Sequence, residues 1–319
     1  MSLTITIPET AFDTTPAAEH LRENCAAVRL TVRWWGTNRS LTPDQKADLC
    51  EGSSIDGSLF KASKQIIDSK HPQMRSLSKV KSQAINTWKH LSLPYVESGV
   101  RLMPRGYIPE FESNMRVYRR QLGVAVEELG GVYQSLLDGA RERLGRFFNL
   151  RDYPEDLAGL FDIAWGYPSF EPPSYLMSLD QGLYRREQRR VTAQFDEAVA
   201  LAETAFTEEF ARLVSHLTER LGDSQDGEKK VFRDSALSNL REFFNRFQNL
   251  GLKSDQQLED LVNQAQRLVR GINPQELRDI SNLRKHIATG LSEVQNELAG
   301  MIVARPKRRI IRAAVEALA

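Results

Sequence analysis

Cysteine is scarce in this chain of 319 residues, and extended apolar runs are missing. Cys25 and Cys50 are the only cysteines, and neither lies in a Cys-x-x-Cys pair, which argues against a disulfide framework and a structural zinc site. No apolar run reaches the ~18 residues that a membrane span requires. Residues 1–15 lack the basic start and apolar core of a signal peptide. We therefore expect a soluble protein of the reducing cytoplasm.

The chain also has no large excess of positive or negative charge. The chain has 43 lysines and arginines against 42 aspartates and glutamates, so its formal net charge is only +1. The charge of the whole chain therefore predicts no particular partner, and electrostatic arguments have to be made region by region.

The motifs that commonly mark enzymes are also absent. The sequence contains no Gly-x-x-x-x-Gly-Lys loop, no Gly-x-Gly-x-x-Gly after a strand, no His-Glu-x-x-His and no Gly-x-Ser-x-Gly elbow. Its five histidines are scattered, with no spacing typical of metal ligands. We expect a protein that is not an enzyme and that uses no cofactor, metal or small-molecule substrate.

What the sequence does contain is a long apolar period. From Val191 to Leu221 the apolar residues are separated by gaps of 4, 4, 3, 4, 4, 3, 4 and 4, and the same eleven-residue period returns at 115–148 and 280–302. Eleven residues over three turns is ~3.67 residues per turn, close to that of a straight helix. The period predicts three long helices, of which those at 115–148 and 191–221 form an antiparallel hairpin.

Two features interrupt this helical pattern. The connection from Asn149 to Gln181 is rich in proline and aromatic residues, and so many aromatic side chains need burial. We expect an ordered cap there, with a short helix near Glu155 to Ala164. In the preceding helix, Gly130 and Gly131 are expected to bend the chain, because each costs about 1 kcal/mol relative to alanine.

The amino-terminal part has a different pattern. Apolar and polar residues alternate from Val28 to Trp35, which is typical of a β-strand. The segment Thr42-Pro43-Asp44-Gln45 begins a short helix with a capping box. A longer helix is expected from Pro72 to Leu91, and the extended segment from Tyr95 to Ile108 can pair with the first strand.

These patterns predict a mainly α protein of the α+β class in four regions. A flexible arm at residues 1–27 precedes a small basic strand-containing domain at 28–110. An elongated bundle of long antiparallel helices, including the hairpin, follows at 111–304. A basic segment closes the chain at 305–319, where cations also suit the negative end of a helix dipole.

One region carries a local excess of positive charge. Residues 61–105 contain nine lysines and arginines but only two acidic residues, Asp68 and Glu97, and tryptophans lie nearby in the sequence. Phosphates attract such cations and bases stack on such rings, so this composition is typical of a nucleic-acid-binding surface. The residues that we predict to contact DNA or RNA are Arg29, Arg33, Arg39, Lys61, Lys64, Lys70, Arg75, Lys79, Lys81, Lys89, Arg101, Arg105, Trp88 and Tyr95.

A second interpretation of this basic region stays open. The positive face can meet the acidic helices of this chain or of another copy, and the tryptophans can fill a core. Both interpretations require the same composition, so the sequence does not separate them.

Several short segments resemble a family found in bacteria, phages and plasmids. They are the segments from Val28 to Thr42, from Leu93 to Tyr95 and from Gly99 to Met103, followed by the long helices. On these segments the chain resembles the DUF three-one-five-zero family over most of the stretch from Val28 to Ile302. The resemblance transfers no catalytic residues. It implies an interaction role, because members are often encoded beside a MoxR-type AAA+ ATPase and a von Willebrand factor A protein.

We therefore expect a non-enzymatic helical scaffold or interaction subunit that self-assembles or serves as an adaptor for a MoxR-type AAA+ ATPase. The alternative is a nucleic-acid-binding protein, for single-stranded or duplex DNA, that uses the basic amino-terminal domain. Neither expectation involves a membrane.

Overall fold

The structure is a computed structural model that describes residues 15–50, 61–222, 233–250, 252 and 254–304. Helices dominate it and a small antiparallel sheet accompanies them, which confirms the predicted mainly α, α+β class. The strands are β1 (Cys25–Arg33), β2 (Asn38–Ser40), β3 (Ser63–Gln65), β4 (Leu93–Pro94), β5 (Val100–Pro104) and β6 (Asp162–Gly166). The helices are α1 (Pro16–Asn24), α2 (Pro43–Cys50), α3 (Pro72–His90), α4 (Ile108–Leu144), α5 (Tyr175–Leu179), α6 (Gln181–Leu221), α7 (Asp234–Leu250), α8 (Gln256–Val269), α9 (Pro274–Asp279) and α10 (Ser281–Ala304).

The chain divides into two compact units. The sheet unit comprises Cys25–Ser92 and Glu97–Ser169, and the helical unit comprises Met1–Asn24, Leu93–Val96 and Phe170–Ala319. Helix α4 belongs to the same unit as β1, whereas the predicted boundary at residue 110 separated them. The reason lies in the packing, because α4 lies along α3 and both contribute to one core with the strands.

Strand β1 is the centre of the sheet unit. It pairs antiparallel with β5, where Val28 lies opposite Arg101, and antiparallel with β6 at its other edge. The prediction that the segment after Tyr95 pairs with the first strand is therefore confirmed. Val28, Met103 and Ile163 are fully buried in a core that they share with α3 and α4.

Local signals fix the limits of α2 and α3. The Gln45 backbone N–H donates to Thr42 Oγ1 at 3.3 Å and the Thr42 N–H donates to Gln45 Oε1 at 3.2 Å, which is the predicted capping box. Pro72 occupies the first turn of α3, where its missing N–H leaves no hydrogen bond unmade. Helix α3 ends at His90, within one residue of its predicted end.

The ladder that begins at Val191 forms the buried side of α6, as predicted. Helix α6 packs mainly against α10, whose own ladder is buried from Ile287 to Leu298. Helix α7 adds phenylalanines to this core, and the rings of Phe210 and Phe243 stack with their centroids 5.1 Å apart.

The partners of the two longest helices differ from the predicted hairpin. Helix α4 buries its ladder mainly against α3, and α6 buries its ladder mainly against α10, each within its own unit. An apolar period determines which side of a helix is buried, but it leaves the partner open because any helix with a matching apolar side can cover it. Helix α4 runs through Gly130 and Gly131 as one element.

The predicted short helix from Glu155 to Ala164 is wrong. Residues 162–166 form β6, and Gly159 before it adopts a left-handed backbone conformation with φ of 72°. The apolar residues of this segment have helical spacing in the sequence. Pairing with β1 nevertheless supplies the backbone hydrogen bonds of β6, and this tertiary context overrides the local period.

The two ends of the chain also depart from the predictions. Within the predicted arm, residues 16–24 form α1, because Ala18 and Leu21 are buried in the helical unit. The sequence predicts that the last helix begins at the cap Asn273-Pro274, but this stretch is divided at Ile280 into α9 and α10. Residues 1–14 and the basic segment 305–319 lie outside the described residues. Among the described helices, none is long and apolar enough to cross a membrane.

Candidate nucleic-acid interface

The solvent-facing side of α3 is positively charged. The helix contains four lysines and arginines and no aspartate or glutamate. Its exposed cations, which share one side of the helix, are Arg75, Lys79 and Lys89. The neutral polar residues exposed on the same side are Ser78, Ser82, Gln83 and Asn86. We call the surface formed by these seven residues the α3 stripe.

Burial of the opposite side keeps the stripe in solvent. Met74, Leu77 and Val80 recur at helical spacing and are buried in the core shared with α4 and the strands. At ~1.5 Å per residue, the stripe extends over roughly 21 Å from Arg75 to Lys89. Because the helix is anchored along its length, the spacing between the Cα atoms of these cations is fixed.

The two acidic residues of the basic segment are engaged by other cations. Glu97 pairs with Arg29. Asp68 Oδ2 lies 3.2 Å from Arg143 Nη1, and Asp68 Oδ1 accepts the backbone N–H of Lys70 at 2.9 Å. These contacts hold the pKa of the Asp68 carboxyl below its usual range, and the hydrogen bond from Lys70 has the largest effect. Neither carboxylate therefore neutralises the α3 stripe.

Lys64 and Arg101, both predicted contact residues, serve the fold instead. Lys64 is only 8% exposed, and its Nζ lies 2.8 Å from Asp152 Oδ2 and donates to Phe147 O at 2.6 Å. Arg101 donates from Nε to Ser92 Oγ and from Nη2 to Ser92 O, both at 2.8 Å. The charges of both residues are used inside the sheet unit.

The arginines on and beside β1 also have partners within the sheet unit. Arg29 forms the ion pair described above, and Arg33 Nη1 donates to Gly159 O at 3.3 Å. Arg39 Nη1 donates to Gly36 O at 2.7 Å. These side chains remain at least partly exposed, but a phosphate that bound them would compete with these contacts.

The two aromatic residues that we predicted to bind nucleic acid, Trp88 and Tyr95, pack within the protein. Trp88 Nε1 donates to Val28 O at 3.3 Å, and the Arg101 guanidinium lies 5.7 Å from the Trp88 ring centroid. Tyr95 belongs to the helical unit, where its ring centroid lies 5.8 Å from that of Phe195. Both are therefore packing residues.

The remaining predicted cations differ in their exposure. Lys81 is partly buried on the flank of α3, and its Nζ lies 4.6 Å from the centroid of the Trp34 ring. Lys61, Lys70 and Arg105 are exposed. Lys70 precedes the first turn of α3 in the chain. The structure thus leaves the α3 stripe as the central part of the predicted interface, with Lys70 next to it in sequence.

A second cationic cluster lies in the helical unit, at the start of α6, and the sequence reasoning missed it. Its exposed arginines are Arg185, Arg186, Arg189 and Arg190. The amino-terminal end of a helix favours anions, so helix stability does not explain these arginines. The cluster could have been predicted from the sequence, because four arginines occur within six residues there.

Exposed apolar side chains lie just before this arginine cluster in the chain, on the short helix α5. They are Tyr175, Met177 and Leu179. Leu179 is 73% exposed, which is unusual for a leucine beside a packed helix. We call the apolar residues of α5 and the four arginines together the α5–α6 surface.

No group of three or more His, Cys, Asp or Glu side chains that could hold a metal ion occurs among the described residues. Comparisons of the chain with protein-family models, with curated proteins and with solved structures found no match. The resemblance to the DUF three-one-five-zero family therefore stays a prediction. Function has to be inferred from the α3 stripe and the α5–α6 surface themselves.

Proposed function

We propose that this protein is a non-enzymatic nucleic-acid-binding protein and that the α3 stripe is its contact surface. The proposal is carried by the absence of acidic residues from a 19-residue helix whose exposed cations are interspersed with hydroxyl and amide groups. A phosphate backbone fits this combination, because lysine and arginine neutralise phosphates while serine, asparagine and glutamine donate hydrogen bonds to their oxygens.

Pairing within the chain does not account for the stripe. Lys64 has Asp152 as its ion-pair partner, and Arg29 has Glu97. The three exposed cations of the stripe have no such partner among the described residues. Their charges are not neutralised within the described part of the chain, which supports an external polyanion over an acidic surface of the same chain.

Fluorescence anisotropy with a labelled DNA duplex tests the proposal. The affinity is expected to fall between about 50 and 200 mM salt, because each phosphate contact adds about −0.9 to the slope of log K against log salt. A variant that combines Arg75→Glu, Lys79→Glu and Lys89→Glu is expected to lose at least about tenfold in affinity. Its slope should be shallower by about 2 to 3.

A matched control reverses three exposed cations of the helical unit, Arg212, Arg267 and Lys285. This control changes the net charge of the chain by the same amount as the stripe variant. An equal loss of affinity in both variants would show that binding follows overall charge and not the stripe. Absence of binding by the wild-type chain at low salt would refute the proposal.

The α5–α6 surface supports a second function, as an interaction subunit that binds another protein. Exposed apolar residues near arginines suit a partner that offers apolar anchors flanked by acidic residues. This is the kind of role that the resemblance implies, as an adaptor for a MoxR-type AAA+ ATPase or as a self-assembling scaffold.

Light scattering over a range of concentrations tests the self-assembly. If an oligomer forms through the α5–α6 surface, a variant with Met177→Glu and Leu179→Glu is expected to be monomeric. A monomeric mass of the wild-type chain at every concentration would exclude self-assembly. Failure to co-migrate with a purified MoxR-type ATPase, in the presence and absence of ATP, would count against the adaptor role.

A further inference from the structure

We infer that the ligand of the α3 stripe is double-stranded DNA rather than a single strand. This inference rests on the proposed function and names the ligand class of the same surface. Two observations carry it. The tryptophans of the sheet unit are committed to packing and hydrogen bonding, and the stripe presents its polar groups along one side of a helix whose size suits a duplex groove.

The stripe offers no platform for base stacking. Proteins that bind single strands stack successive bases on exposed aromatic rings. The exposed residues of α3 that form the stripe are cations, serines and amides, and none is aromatic. Trp88, the one tryptophan of α3, is held toward β1 by its hydrogen bond to Val28 O. A single strand on α3 would therefore gain phosphate contacts but no stacking.

The tryptophans at the end of β1 are also engaged. Trp35 is 7% exposed, and its ring lies edge-on to that of Tyr133 with a centroid separation of 6.3 Å. Trp34 lies edge-on to Phe161 at 4.9 Å, and the ammonium group of Lys81 stands over its ring. A base that stacked on either ring would have to displace these contacts.

Trp165 and Tyr167 are held by one carboxylate. Glu112 Oε1 accepts hydrogen bonds from Trp165 Nε1 and from the Tyr167 hydroxyl, both at 2.7 Å, and Arg116 lies 2.9 Å from the other carboxylate oxygen. The ring of Tyr167 is nevertheless at the surface, since the residue is 44% exposed. Tyr167 is therefore the residue through which stacking in the sheet unit can be tested.

The dimensions of α3 suit the major groove of B-form DNA. This groove is ~12 Å wide and admits an α-helix, whereas the deep major groove of duplex RNA is too narrow for side chains to read. A stripe of roughly 21 Å covers about six base-pair steps. Arg75 and Lys89 at its ends can reach phosphates, while Gln83 and Asn86 between them can meet base edges.

Three labelled probes of one sequence test the inference: a DNA duplex, one of its strands alone, and the corresponding RNA duplex. At the same low salt, the DNA duplex is expected to bind at least about tenfold more tightly than either of the others. The triple reversal at Arg75, Lys79 and Lys89 is expected to remove this preference.

The outcomes separate this inference from the proposed function. Equal or tighter binding of the single strand, or of the RNA duplex, would overturn the inference and leave nucleic-acid binding intact. Absence of binding to all three probes would overturn the proposed function itself.

Tyr167→Ala provides a further control, with its fold checked by circular dichroism. It is expected to leave duplex binding unchanged. A tenfold or greater loss of duplex affinity in this variant would overturn the inference, because an aromatic ring outside the stripe would then contribute to the binding that the inference assigns to the stripe.

Discussion

The cations of the α3 stripe and Arg284 of α10 are used in opposite ways. On α3, the three cations of the stripe extend into solvent. On α10, Arg284 is only 6% exposed and donates from Nε to Leu221 O at 2.8 Å and from Nη2 to Arg220 O at 2.7 Å. These carbonyls belong to the last turn of α6, which has no intrahelical donors left for them. The buried arginine thus completes the end of another helix.

This difference teaches that a count of charges does not locate an interface. A buried arginine that satisfies backbone carbonyls contributes to the free energy of folding, and the partly buried Arg241 does the same through the carbonyl of Ile272. An exposed cation contributes little to folding and remains available to a ligand. Each cation therefore has to be assigned to one of these uses before a surface is proposed.

The largest expected effect is the difference in the free energy of unfolding between Arg284→Gln and Arg75→Gln. Arg284→Gln removes the donors of two carbonyls at a buried helix end, so we expect the free energy of unfolding to fall by about 3 kcal/mol. Arg75→Gln changes an exposed side chain of the stripe and should alter it by less than about 0.5 kcal/mol. Urea denaturation followed by circular dichroism measures both. Similar losses in the two variants would contradict the distinction between the buried and the exposed arginine.

The packing of α4 and that of α10 can be compared by replacing one glycine in each helix with alanine. A Cβ at Gly290 would lie 2.8 Å from Leu268 Cδ1, so Gly290→Ala forces the Leu268 side chain to move and should destabilise by about 1 kcal/mol. A Cβ at Gly131 would meet no atom within 4 Å, so Gly131→Ala should stabilise by up to about 1 kcal/mol through helix propensity. Thermal unfolding of both variants gives the signs. A stabilising Gly290→Ala would mean that Leu268 moves away freely.

The smallest expected effect concerns the Glu112 carboxylate in the sheet unit. Hydrogen bonds from Tyr167, followed by Trp165, lower the pKa of Glu112 from its ordinary value of 4.5. A carboxyl whose pKa is lowered on folding stabilises the folded state above pH 4.5, and this contribution is lost as the pH falls through the folded-state pKa. Glu112→Gln should therefore lower the melting temperature at pH 7 and weaken its fall on acidification.

The exposed neighbour Glu110 supplies the control for this substitution. Glu110→Gln is expected to change the melting temperature at pH 7 less than Glu112→Gln does. If Glu112→Gln behaved like this control, the hydrogen bonds of Glu112 would not contribute to stability.

The sequence predicted those parts of the fold that local interactions determine. The capping box at Thr42 lies within four residues, and the buried side of α3 follows from a period of apolar residues along one helix. Strand β6 was missed because its pairing partner β1 lies more than a hundred residues away, and the helical spacing near Phe161 pointed elsewhere. The partners of α4 and α6 were missed for a different reason, because an apolar period determines which side of a helix is buried but not which helix covers it.

The candidate site was predictable as a region but not residue by residue. The exposed cations of α3 follow from its helical period, which places Arg75 and Lys79 opposite the buried side. The internal role of Lys64 depends on Phe147 O and Asp152, which follow it by more than eighty residues. No local pattern near Lys64 indicates these partners, so composition alone overestimated the interface.

The burial of Cys25 at the start of β1 has a consequence for labelling chemistry. The residue is 5% exposed, and burial raises the pKa of its thiol to about 12, so the thiolate that reacts with maleimides is scarce at neutral pH. Cys50, at the end of α2, is more accessible. A fluorophore can thus be attached selectively at Cys50 in the unaltered sequence. The label would then lie on the same unit as the α3 stripe and could report directly on ligand binding.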